Sequence, residues 1–157
     1  MTKRHFLVAI LSSFATASYA AGPRINPLDI SMCNLSEPGE SGWYSRQTDK
    51  SGSVNVRCLV ALPGSSEVKE PTMKIDGALL SLKDAPDAPK KPQKPWQSVA
   101  AYTSQDGKIR VTLSWRLHHD SCAEVEEKCC GQEYLGELEV STPAGKKKVR
   151  VWQSSGS

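Results

Sequence analysis

Lys108 to Val140 reads KIRVTLSWRLHHDSCAEVEEKCCGQEYLGELEV, and the pattern of this stretch decides the fold class. Between Ile109 and His119 the residues alternate: Ile109, Val111, Leu113, Trp115, Leu117 and His119 on one side, Arg110, Thr112, Ser114, Arg116 and His118 on the other. Successive side chains of a strand point to opposite faces, so one face is apolar and the other polar and basic. A helix would scatter the same apolar residues around its cylinder. Alternation stops at Asp120-Ser121-Cys122 and resumes from Glu133, with Tyr134, Gly136, Leu138 and Val140 on one face and Leu135, Glu137 and Glu139 on the other. Two antiparallel strands joined by a polar loop of about a dozen residues are expected, a length at which loops are functional or disordered. Three cysteines in that loop argue that it is held in shape.

Outward from this hairpin the same signals recur. Trp43–Gln47 and Ser53–Leu62 read as strands around the turn 48–52, with Val54, Val56, Cys58 and Val60 facing inward. Thr72–Ile75 and Ala78–Lys83 flank Asp76-Gly77, a dipeptide that suits a two-residue hairpin because both positions tolerate positive φ. Gln97–Thr103 precedes the turn at Ser104–Gly107, and Lys147–Gln153 follows the turn at Thr142–Gly145. Asp84–Pro95, DAPDAPKKPQKP, carries four prolines and cannot donate a regular ladder. It reads as a surface crossover between two sheets. The expected fold is therefore all-β: a single antiparallel β-sandwich over residues 21–153, immunoglobulin-like in outline and disulfide-stapled, with a disordered tail at 154–157.

Met1–Ala20 has the form of a secretory leader, with Lys3 and Arg4 before an apolar centre and Ser18-Tyr19-Ala20 as a small-residue cleavage pattern near Ala20. Export to the periplasm or the exterior is expected, without membrane insertion. Two of the 20 Lys and Arg residues leave with the leader, and the remaining 18 face 17 Asp and Glu. So even a balance gives no field that would gather nucleic acid. Lys146, Lys147, Lys148 and Arg150 form a local basic strip, read as a strand edge guarded against unwanted pairing.

Both phenylalanines, Phe6 and Phe14, lie in the leader, so the core rests on aliphatic residues and the four tryptophans. Disulfides suit such a core and an oxidising compartment. Cys33, Cys58, Cys122, Cys129 and Cys130 are odd in number, leaving one unpaired. The expected pairing joins Cys33 to Cys58, and Cys122 to Cys129 or Cys130.

His118, His119, Asp120, Glu124, Glu126, Glu127 and Lys128 form the candidate partner-binding loop, because a stapled loop on a rigid scaffold loses little entropy on docking. Trp43, Tyr44 and Trp96 are candidate aromatic anchors if exposed. Ser114, Ser121, His118 and Asp120 are all local and form no nucleophile–base–acid set drawn from separate parts of the fold, so no enzyme and no cofactor are expected. The expected function is an exported binding protein whose partner is a cell-envelope hydrolase or toxin, occluded by the loop as an inhibitor or immunity protein would do. One alternative is a periplasmic copper or zinc protein using His118, His119, Cys122 and Cys130. Adjacent histidines on a regular strand point apart, which opposes that site. Another alternative is a structural or adhesion protein working through a sheet edge.

Overall fold

The computed structural model describes residues 22–33, 42–63, 68–89, 97–120 and 131–156. The leader, the loop residues Cys122, Glu124, Glu126, Glu127, Lys128, Cys129 and Cys130, and Trp96 lie outside the described residues. The strands are β1 (Ile25–Asn26), β2 (Gly42–Thr48), β3 (Val54–Ala61), β4 (Thr72–Ile75), β5 (Ala78–Asp84), β6 (Gln97–Ser104), β7 (Arg110–Asp120), β8 (Gly131–Thr142) and β9 (Gly145–Gly156), with a 3₁₀ turn at Ile30–Cys33. The last strand runs past Gln153, where the sequence pattern places the end of order.

The sandwich is not what forms. Each strand from β2 to β9 pairs antiparallel with the next, and β9 returns to β2 through Tyr44 and Trp152, closing an eight-stranded up-and-down barrel with β1 outside it on β4. The proline-rich stretch is correspondingly not a crossover between sheets. Its flanking strands pair directly, Leu82 with Ser104 and Lys83 with Thr103, so it joins neighbours in one wall. Period-two alternation is common to sandwiches and barrels, because both have one dry face; only the partner of the last strand separates them.

The barrel is filled by its inward side chains. Trp43, Val60, Met73, Leu82, Val111, Leu113, Leu138, Val140 and Val151 are all but inaccessible. Trp43 and Trp115 meet with ring centroids 5.4 Å apart. Gly136 makes room for them: a Cβ there would fall 2.8 Å from the Ser114 carbonyl and 3.1 Å from the Trp43 ring. Charged residues such as Arg110, Arg116, Glu137 and Lys148 lie on the exposed outside. That arrangement is the reverse of a lipid-facing barrel, and among the described residues no helix is long and apolar enough to cross a membrane.

Two irregularities redirect side chains. Trp43 pairs with Val60 but Tyr44 with Cys58, so Leu59 is an extra residue and both Leu59 and Val60 join the core. The single inward face expected for Val54, Val56, Cys58 and Val60 is thereby split, and Val54 is 57% exposed. Cys58 instead meets Cys33, with Sγ atoms 1.95 Å and Cα atoms 5.7 Å apart, in a small second core with Leu28 and Ala61. The expected Cys33–Cys58 pair is thus in place. The second irregularity, at His118, lies beside the candidate site.

One end of the barrel carries short turns. Asp76 (φ 51°) and Gly77 (φ 82°) form the β4–β5 hairpin turn. In the β2–β3 turn Asp49 Oδ1 accepts from the Ser51 and Ser53 amides at 2.8 and 2.9 Å. Asp106 does the same between β6 and β7, accepting from the Ser104 hydroxyl at 2.6 Å and the Lys108 amide at 3.1 Å. The lead-in joins this end, since the Arg24 amide donates to Asp76 Oδ1 (2.8 Å) and the Gly77 amide to Asn26 Oδ1 (2.9 Å).

Candidate functional site

The hairpin of β7 and β8 positions the described part of the sequence-predicted site. Leu117 pairs with Tyr134, but His119, not His118, pairs with Glu133. His118 is therefore a bulge residue, and bulges re-aim side chains by adding one residue to one strand. The bulge shifts His119 out of the apolar register in which the sequence pattern places it. It lies across from Glu133, on the outward face of β8, and both histidines are exposed. Asp120 pairs with Gln132, whose amide donates to Asp120 Oδ2 at 3.2 Å and accepts from the Tyr134 hydroxyl at 2.6 Å. A polar ladder thus holds the root of the 121–130 connection.

Beside this root lies a cluster that sequence reasoning missed. Arg46 forms an ion pair with Glu133, while its guanidinium sits 5.2 Å from the Tyr44 ring centre and 5.5 Å from that of Trp152. Arg46 also donates to the Tyr44 hydroxyl (2.9 Å), and that hydroxyl lies 2.7 Å from Ser154 Oγ. Burial works against the Arg46 charge, but Tyr44 and Glu133 outweigh it and hold the guanidinium above its ordinary value. The side chain clasps β2 to β8 and β9 where the seam has one registered strand pair among the described residues. The only sequence signal is period: Tyr44 and Arg46 two apart on one strand, Arg150, Trp152 and Ser154 on another.

The candidate anchors divide. Trp43 is core at 1% exposure, and Tyr44 is buried beneath the clasp. Trp152, half-buried on the outside, is the tryptophan that this face presents. Below the clasp a cleft of about 320 Å³ opens between β2, β9 and the lead-in, with Arg46, Arg57 and Arg150 around it. Half of the basic strip is matched: Lys148 Nζ lies 2.7 Å from Glu137 and 3.4 Å from Glu139, and Lys146 3.5 Å from Glu139.

Among the described residues no three His, Cys, Asp or Glu side chains are grouped to hold a metal ion. His118 and His119 are the described half of the alternative metal set, and Cys122 and Cys130 lie outside the described residues. Comparison with protein-family models, with curated proteins and with solved structures finds no match to this chain.

Proposed function

We propose that this is an exported, non-enzymatic binding protein that occludes a cell-envelope hydrolase or toxin, as an inhibitor or immunity protein does. The observation that carries the proposal is the filled barrel: Trp43, Met73, Leu113 and Leu138 occupy the interior, each at 1% exposure or less. Eight-stranded barrels either fill with side chains or hold one small ligand. A filled one works by what it carries outside, and its walls give the connection 121–130 a rigid base. The polar root at His118, His119 and Asp120 and the acidic residues Glu124, Glu126 and Glu127 are the contacts assigned to the partner.

The edge-mediated adhesion alternative loses support, because among the described strands closure leaves only the two-residue β1 at the margin of the sheet. The metal alternative gains one point and lacks another. The bulge at His118 removes the objection that adjacent histidines face apart, while the described residues supply no third ligand.

The experiment is capture from envelope extract with the oxidised protein as bait, beside a variant with Glu124, Glu126 and Glu127 changed to Ala. One hydrolase or toxin, retained by the first bait and lost by the second, and inhibited at a one-to-one ratio, is the expected outcome. A captured enzyme that keeps full activity at saturation would sink the inhibitor role.

A further inference from the structure

The β2–β9 seam has Tyr44 with Trp152 as its registered pair, and beyond that pair the cleft of about 320 Å³ is lined by residues of both faces of the wall. Leu59 and Val149 come from the core side and Ile25 from the lead-in, giving an apolar floor. Arg46, Arg57 and Arg150 contribute three guanidinium groups, and among the described residues no carboxylate lines the cleft. Glu133 satisfies Arg46. Arg57 and Arg150 are exposed and, among the described residues, form no ion pair. This contrasts with Lys146 and Lys148 of β9, which are matched by Glu139 and Glu137.

We propose that the cleft is a docking site for an acidic segment of the partner protein, a loop or terminus bearing Asp or Glu beside an apolar side chain. This rests on the protein-binding function proposed above and adds a second contact surface to it. Carboxylates match the guanidinium fork in shape as well as charge. The apolar floor and Trp152 favour a peptide over a bare anion, because they offer hydrocarbon contact next to the charges. A nucleic-acid backbone would call for an unmatched cationic track, and Lys146 and Lys148 are already engaged by β8.

The test uses the full oxidised chain, ¹⁵N-labelled, titrated with an acetylated hexaglutamate peptide carrying one leucine. Saturable shifts of the Arg57 and Arg150 side-chain N–H signals and of the Trp152 indole N–H are expected. The double variant Arg57→Ser/Arg150→Ser should bind about tenfold more weakly, the size expected for two exposed ion pairs. Both positions are exposed, and a Lys146→Ser/Lys147→Ser variant serves as control, with affinity unchanged. Equal binding by the arginine variant, or shifts centred on Lys146–Lys148, would overturn the proposal. The two functional claims fail separately. An envelope partner captured equally by wild type and the arginine variant removes the cleft and leaves the inhibitor role standing. Peptide seating without any envelope partner does the opposite.

Discussion

The two ends of the barrel are closed by different chemistry. At one end the connections are 49–53, 76–77, 105–109 and 143–144, and backbone amides are collected by Asp49, Asp76 and Asp106. The connections 62–71, 85–96 and 121–130 leave the other end, and the barrel beneath them is blocked by Trp43 and Trp115. The bonds of Asp49 and Asp106 are local devices, each written in a few adjacent residues, while Asp76 ties the lead-in to its turn through Arg24. A tryptophan plug depends on partners from distant strands, and its removal leaves a void that the fixed walls cannot close. The turn end should therefore fail gradually and the plugged end all at once.

Removing the plug is the strongest way to test that difference. Trp43→Ala should destabilise the fold by about 3–5 kcal/mol, the cost of a large aromatic lost from a packed core. Urea denaturation measures it, and a loss under about 1 kcal/mol would mean that the plugged end yields as easily as a turn. Next comes the covalent tie. With 25 residues of separation, Cys33–Cys58 should contribute about 3 kcal/mol through the unfolded chain, read as the difference between wild type and Cys33→Ser/Cys58→Ser.

Arg46→Ala should cost about 1 kcal/mol, since cation–π and ion-pair contacts at a partly exposed site are individually small and screened. Salt should shrink that loss, and Arg46→Lys should recover the charge but not the stacking. Unchanged stability would remove the clasp from the seam.

The smallest effect belongs to the turn end and depends on pH. Hydrogen bonds from Ser51 hold the Asp49 carboxyl below its ordinary value, and the Ser104 hydroxyl does the same for Asp106. A carboxyl lowered on folding stabilises the fold above its unfolded value of about 3.9 and loses that contribution as pH falls through the lowered one. Protection of the Ser53 and Lys108 amides, taken relative to the intrinsic exchange rate at each pH, should thus be lost in acid before that of the core amides. Asp49→Asn/Asp106→Asn should differ from wild type at neutral pH and converge with it in strong acid, once both carboxyls are protonated. A gap that persists undiminished in acid would detach the turns from ionisation.

The strands are legible in the sequence because alternation is a local property: Val111, Leu113, Leu138 and Val140 announce a dry face without reference to any partner. The Asp76-Gly77 turn is legible for the same reason. Closure is not, since it joins Tyr44 to Trp152, more than a hundred residues away, and no short pattern encodes that meeting. The prolines of 84–95 mislead, because a stretch unable to join a ladder looks like a crossing between sheets. They occupy a connection whose flanks are already paired. The bulges at Leu59 and His118 are equally silent, as one extra residue turns the rest of its strand to the opposite face without changing composition. Hence the pattern puts His119 on the wrong side and marks the clasp around Arg46 by nothing beyond the two-residue spacing of its members. The loop from Ser121 to Cys130 stands out by its composition alone, and its part in function rests on the capture experiment.

The seam has one more consequence, in time and not in space. It joins the first strand of the barrel wall to the last, so a chain growing from its N-terminus can form hairpin after hairpin and still have no closed interior until β9 is complete. Until then Val60, Leu113 and Leu138 lack a finished enclosure, and Trp43 lacks the Val151 side of its setting. Such a chain stays open through almost its whole synthesis, then closes in a single long-range step that should limit its folding rate. Under the proposed export, late closure would keep the chain competent to thread through a channel before it folds.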